Sequence, residues 1–227
     1  MQSPSFLFGQ TTNGLAIPGF RFSPHQASAS RRHVLVLGGV HGDETEGVVL
    51  AHGLLAECMK QYAHDLRLTI VPAFNLDGVL AKTRGNANGV DLNRNLPTKD
   101  WSPEATTPRY QPGPTALSEI ENKALVDFIE QEKPDFIISL HSWKPMLNIN
   151  EPEGSTICRK TAEAISALTG DIIEPTIGYS TPGCLGTYTG LERGIPTITY
   201  EIERGMEPKR VLDVHLAALG EGLRSLG

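Results

Sequence analysis

Cysteine is scarce, with only Cys58, Cys158 and Cys184 among 227 residues. They are odd in number, far apart and outside any C-x-x-C pair, which argues against both a disulfide framework and a cysteine-held zinc. Buried free thiols in a reducing compartment are the expectation. Basic excess is also missing: Lys and Arg total 20 against 26 Asp and Glu, a formal charge of −6, with no long run of like charge. Phosphate binding rests on clustered Lys and Arg, so no nucleic-acid partner is expected. No stretch approaches the ~20 apolar residues needed to span a bilayer, so no membrane association is expected either. The opening MQSPSFLFGQTTNGLAIPGF has neither a basic start nor a continuous apolar core. It does not read as a signal peptide, and the chain reads as cytoplasmic.

What is present suits one globular domain over residues 1–227. Hydrophobic residues make up 39% and charged residues 20%, and a chain of this length buries most of its apolar surface without staples. The polar segment to about Ser30 reads as extended or hairpin structure. HVLVLGG (33–39) reads as a buried strand ending in a loop. Val48, Val49, Leu54, Leu55 and Met59 recur at helical spacing between Glu46 and about Tyr62. LRLTIVPAF (66–74) is a second strand, broken by the turn cluster Asn75–Gly78. Residues 84–115 have little periodicity, the mark of a loop that lines a site. Ser118 and Glu121 form a capping box for a helix over 119–131, and DFIISL (135–140) is a strand. Ser155 caps a helix running to Gly170, IPTITYEI (195–202) is a strand, and an amphipathic helix closes the chain over about 207–225. Strands alternating with helices predict an α/β fold with a mixed, mainly parallel central sheet and helices on both faces.

In open α/β sheets, ligands bind beyond the carboxyl ends of the strands. His41 and Glu44 follow the first buried strand, His141 follows DFIISL directly, and Glu201 ends IPTITY. Two His and one carboxylate are a common catalytic zinc set that leaves a position for water. A further carboxylate can then move protons. From spacing alone, loop histidines and solvated carboxylates explain these residues as well as a metal does. Glu203 shares a strand face with Glu201, so periodicity cannot choose between them as a base.

The ordered segments GGVHGDETEG (38–47), NLDGV (75–79), GVDLNRNLP (89–97), SLHSW (139–143) and ITYE (198–201) resemble the motifs of zinc carboxypeptidases related to pancreatic carboxypeptidase A. GNANGVDLNRN, YSTPGCLGTY and RGIPTITYE resemble the bacterial murein peptide amidase branch. The likeness covers about 33–203. It implies one Zn²⁺ held by His41, Glu44 and His141, with Glu201 as catalytic base. It also implies that Asn93 and Arg94 grip a substrate carboxylate, Arg84 stabilises the oxyanion and Asp91 orients a zinc histidine. Tyr179, 22 residues before Glu201, corresponds to a substrate-capping tyrosine, and Gly186 and Thr187 fall in the specificity pocket. The implied partner is a small peptide with a free carboxylate, cleaved between γ-D-glutamate and meso-diaminopimelate during cell-wall recycling. The alternative is a deacylase of the aspartoacylase or succinylglutamate desuccinylase type, which shares H-x-x-E and D-L-N-R. NLDGV, Asn95 and TPGCLGTY favour the peptidase branch.

Overall fold

The computed structural model describes residues 4–24, 31–105 and 107–227. It contains an eight-stranded mixed sheet made of β1 (Ser5–Gln10), β2 (Ala16–Phe22), β3 (His33–Gly38), β4 (Arg67–Val71), β5 (Phe136–Trp143), β6 (Met146–Asn150), β7 (Ile172–Glu174) and β8 (Thr197–Glu203). Their order across the sheet is β1-β2-β4-β3-β5-β8-β6-β7. The β4-β3-β5-β8 centre is parallel, and antiparallel pairs enter at β1-β2, β2-β4 and β6-β8. The predicted N-terminal hairpin is β1-β2, while residues 1–3 and 25–30 of that segment lie outside the described residues.

Alternation along the strands builds two cores. Val34, Val36, Ile138, Leu140, Ile198, Tyr200 and Ile202 face one layer of helices, α1 (Thr45–Lys60), α4 (Ile157–Thr169) and the C-terminal helix. That last helix comprises α5 (Pro208–Val211) and α6 (Ala217–Arg224), joined by a π-helical turn at Leu212–Leu216. Leu35, Leu37 and Ile137 face the other side, against α3 (Ile120–Glu132) and the aromatic cluster Phe8, Phe74 and Phe128. Ile137 shares its face with Ser139 and His141. That face is therefore apolar at one end of β5 and polar at the other.

Several local expectations need correction. Asn75–Gly78 is not an open turn: Asn75 Oδ1 accepts the Gly78 N–H at 3.0 Å and caps the short helix α2 (Leu76–Ala81). Ser118 does not cap α3. Its hydroxyl donates to Glu119 Oε1 at 2.6 Å, and Glu121 accepts from Thr12 N at 2.8 Å. Glu119 and Glu121 instead fasten the Asn86–Asn88 loop to the start of α3. At α4 the acceptor is Glu151, which takes the Cys158 N–H at 2.9 Å, while Ser155 Oγ receives only a long 3.4 Å bond from Ile157 N. β6 and β7 are strands where none was expected, and β5 runs on to Trp143, so His141 lies inside a strand rather than after it. No helix among the described residues is long and apolar enough to cross a membrane.

Candidate metal centre and cleft

β3 ends in a close approach of backbones. A Cβ on Gly38 would lie 2.7 Å from the Pro72 carbonyl oxygen, and Gly39 takes a positive φ of +66°. Phe74 N and Asn75 N donate to the Gly38 and Gly39 carbonyls, both at 2.9 Å. The chain is thereby turned into His41–Glu44, directly before α1. Gly42 packs on α2, where an added Cβ would sit 1.9 Å from the Gly78 carbonyl carbon. Backbone cannot yield as a side-chain tip can. We expect Gly42→Ala to cost roughly 1–3 kcal/mol of stability and to weaken divalent-metal binding, as read by thermal melting and zinc titration. Unchanged values in both would show that the loop does not depend on this contact.

On this frame His41, Glu44 and His141 offer ligand atoms within 4.8 Å of one another, all buried. Glu44 Oε1 is 3.0 Å from His41 Nδ1, Glu44 Oε2 is 2.9 Å from His141 Nδ1, and the two Nδ1 atoms are 3.1 Å apart. The far ring nitrogens are engaged elsewhere. His41 Nε2 meets Asp91 Oδ1 at 3.0 Å, and His141 Nε2 meets Ser139 Oγ at 2.8 Å. Burial alone would raise Asp91, but His41 and Arg84 outweigh it and hold the carboxyl far below the usual range. An ionised Asp91 accepts only, so Nε2 of His41 carries a hydrogen, and a metal that displaces the Nδ1 proton would meet the Nδ1 lone pair. Burial likewise opposes ionisation of Glu44, and the two histidines outweigh it, leaving this carboxylate well below its ordinary value. Two ring nitrogens and a carboxylate converging on one buried point fit a cation of the zinc class.

Glu201 sits opposite His141 in the parallel β5-β8 register, so their side chains share a face. Its Oε2 is buried without a hydrogen-bond partner among the described residues. Burial pushes its carboxyl up to about 7; Glu44 adds to this, while His141, Arg84 and Arg204 oppose it. Glu203 is exposed and does not line the cleft with Glu201, which separates the two glutamates that periodicity left equal. A folded pKa above the unfolded value gives a stability term that is complete below about 4.5 and lost as pH rises to about 7. Without metal, Glu201→Gln is therefore expected to be more stable than the parent at pH 8, by roughly 3 kcal/mol, with the gap closing toward pH 5. Denaturant titrations at the two pH values check this, and a gap that widens on acidification would contradict the sign.

These groups open on a cleft of about 640 Å³. Arg84, 10% exposed, donates from Nε to Asp91 at 2.8 Å and from Nη1 to Glu44 at 3.0 Å. Asn93 Oδ1 accepts the Leu185 N–H at 2.8 Å. Arg94 donates to the Asn93 carbonyl at 2.7 Å and lies 5.3 Å from the Tyr110 ring centroid. Tyr179 meets Trp143 edge-on at 5.9 Å and Tyr110 at 6.4 Å. Gly186 and Thr187 line the wall with Asn148, Asn150 and Thr199, and a Cβ on Gly186 would lie 2.2 Å from Asn150 Oδ1. The cleft thus gathers His41, Glu44, Arg84, Asn93, Arg94, His141, Tyr179, Gly186, Thr187 and Glu201, while Asp91 stands behind His41. Tyr110, Asn148, Asn150, Arg109 and Arg204 were not anticipated. The alternation in MLNIN could have signalled the two asparagines, but nothing local marks the others.

The sequence profile described as zinc carboxypeptidase matches residues 4–170. The chain belongs to the zinc carboxypeptidase family, and it is a hydrolase. It is 32% identical to murein peptide amidase A of Vibrio campbellii over 95% of this chain and 89% of that protein. The murein-tripeptide amidase of Escherichia coli O157 superposes with a TM-score of 0.80 at 25% identity, over 97% of this chain and 91% of that one. A succinylglutamate desuccinylase from Silicibacter shares the fold, with a TM-score of 0.68 at 21% identity, over 94% of this chain and 61% of that one. The zinc carboxypeptidase match stops short of Tyr179 and Glu201, whereas the Vibrio alignment covers nearly the whole chain.

Proposed function

We propose that this zinc carboxypeptidase family member hydrolyses the amide bond between γ-D-glutamate and meso-diaminopimelate in murein peptides, using one zinc ion per chain. The observation that carries the reading is the unpartnered, buried Glu201 Oε2 beside the His41–Glu44–His141 cluster, in a cleft that also holds Asn93 and Arg94. The names of the Vibrio and Escherichia relatives supply the substrate class.

Zinc held by His41, Glu44 and His141 would acidify a water and polarise the scissile carbonyl. The protein's own residues do the rest. Arg94 presents a planar guanidinium to the free carboxylate of the leaving residue, with the Asn93 amide beside it. This fixes the scissile bond over the cluster. Glu201 Oε2 takes a proton from the attacking water and delivers it to the departing amine nitrogen, so that water is consumed and an acid and an amine are released. A carboxyl poised near neutrality suits both halves of that transfer. Arg84 supplies a fixed positive charge for the developing oxyanion. Asp91 holds His41 in the tautomer that points Nδ1 at the metal. Tyr179, on the exposed rim, closes over the bound peptide. Cytoplasmic recycling of imported muropeptides is the setting that this substrate suggests.

The test is incubation of the zinc-loaded protein with L-Ala-γ-D-Glu-meso-diaminopimelate, alongside N-acetylaspartate and succinylglutamate. Release of free diaminopimelate, with the acylated amino acids untouched, is expected. Turnover of either acyl amino acid without diaminopimelate release would move the chain to the deacylase reading.

A further inference from the structure

Four arginines line the cleft of this acidic chain: Arg84, Arg94, Arg109 and Arg204. The first two are engaged with the groups described above. The other two meet on a third residue. Arg109 Nη2 donates to Asp43 Oδ2 at 2.8 Å. Arg204 Nη2 donates to the same oxygen at 2.8 Å and to the Asp43 carbonyl at 3.0 Å. Asp43 belongs to the His41–Glu44 loop, Arg109 to the turn at Pro108–Tyr110, and Arg204 follows β8 three residues after Glu201. Three distant segments thus place two guanidinium groups beside the metal-ligand loop.

The charges at this point do not cancel: two cations share one carboxylate, for a net +1. The arginine side chains are 45% and 40% exposed, whereas Asp43 is 15% exposed. Each guanidinium carries several donors. Among the described residues, the guanidinium hydrogen bonds of both run through Nη2 alone. Asp43 therefore acts as a brace that holds two like charges together, and their remaining N–H groups stay available to a ligand.

We propose that Arg109 and Arg204 form a second carboxylate subsite, which reads the residue on the acyl side of the scissile bond. The proposal rests on the murein-peptide reading above. A γ-linked D-glutamyl residue keeps its own α-carboxylate, a short methylene chain from the scissile carbonyl. An ordinary α-linked peptide has no carboxylate at that position. Arg94 takes the carboxylate of the leaving residue, and the Arg109–Arg204 pair takes that of the glutamyl residue. The two sites together select a γ-linked acidic acyl group over an α-peptide.

The deciding experiment compares kcat/KM for L-Ala-γ-D-Glu-meso-diaminopimelate and for its analogue with a carboxamide in place of the glutamyl α-carboxylate. The zinc-loaded parent chain is expected to prefer the carboxylate by roughly 10–100-fold, the range for a charged hydrogen-bonded contact. In the R109Q/R204Q double variant the ratio should fall to within about threefold, with each single variant between. The ratio is insensitive to a general loss of folded protein. Equal cleavage of both peptides by the parent chain would overturn the subsite and leave the substrate reading standing. A preference that survives in the double variant would place recognition elsewhere. Absence of diaminopimelate release from either peptide would overturn the substrate reading and this subsite with it.

Discussion

Glu201→Gln is expected to lower kcat by about 10²–10⁴-fold, the usual contribution of a positioned acid–base group, while one zinc per chain stays bound. Gln has the same shape and fills the same buried space, but it cannot take up a proton from water at Oε2. Its neighbours His41, Glu44 and His141 keep all their ligand atoms, so the metal has no reason to leave. In the proposed role Glu201 moves protons and does not hold the substrate, so the loss belongs in kcat, with KM nearly unchanged. Steady-state kinetics with elemental analysis of the same sample checks both halves. A variant within about tenfold of the parent rate would remove Glu201 from the base role, and a variant emptied of zinc would make it part of the metal site. Glu203→Gln, two residues along the strand and exposed, should show neither effect.

Zinc removal should produce the largest change in stability. A ligand present at 1,000 times its dissociation constant stabilises the folded state by about 4 kcal/mol. For a chain of this length each kcal/mol moves the midpoint by roughly 2–4 °C, so zinc is expected to raise it by about 8–16 °C. The electrostatics support a large response. Glu44 lies within 3.0 Å of both imidazole Nδ1 atoms in a buried pocket, where one cation can take the place of the protons those three groups share. Glu44→Gln, which keeps the volume and removes the charge, should abolish most of the rise. Asp91→Asn, which loosens only the His41 tautomer, should weaken affinity by about 10–100-fold. Melting curves with and without chelator decide the matter. A midpoint that ignores zinc would mean that the three side chains meet for structural reasons only.

Much of this arrangement was legible from the amino-acid order, for a physical reason. The central strands begin as short apolar runs, and His41 beyond β3, His141 within β5 and Glu201 within β8 break the hydrophobic pattern visibly, while the ordered family motifs supplied their roles. Where signals are local, they were readable. Where side chains are recruited by distant partners, they were not. Ser118 and Glu121 have the spacing of a capping box, yet Glu121 is claimed by Thr12 and Asn86 from elsewhere in the chain. Ser155 loses the α4 cap to Glu151 in the same way. β7, at three residues, is too short to carry a period, whereas the alternation of the five-residue β6 was a local signal that went unread. The Asp43–Arg109–Arg204 contact joins positions up to 161 residues apart, and only the folded chain reveals it.

The pairing of His141 with Glu201 across β5 and β8 has a mechanical consequence. The proposed metal ligand and the proposed proton carrier face each other as register partners on neighbouring strands in the middle of the sheet. The segments that carry Arg109, Tyr110 and Tyr179 lie outside that strand pair, so a change in them need not alter the spacing between those two groups. Temperature or sequence drift in the mouth of the enzyme should therefore change how fast substrates come and go, and leave the bond-breaking step itself almost constant.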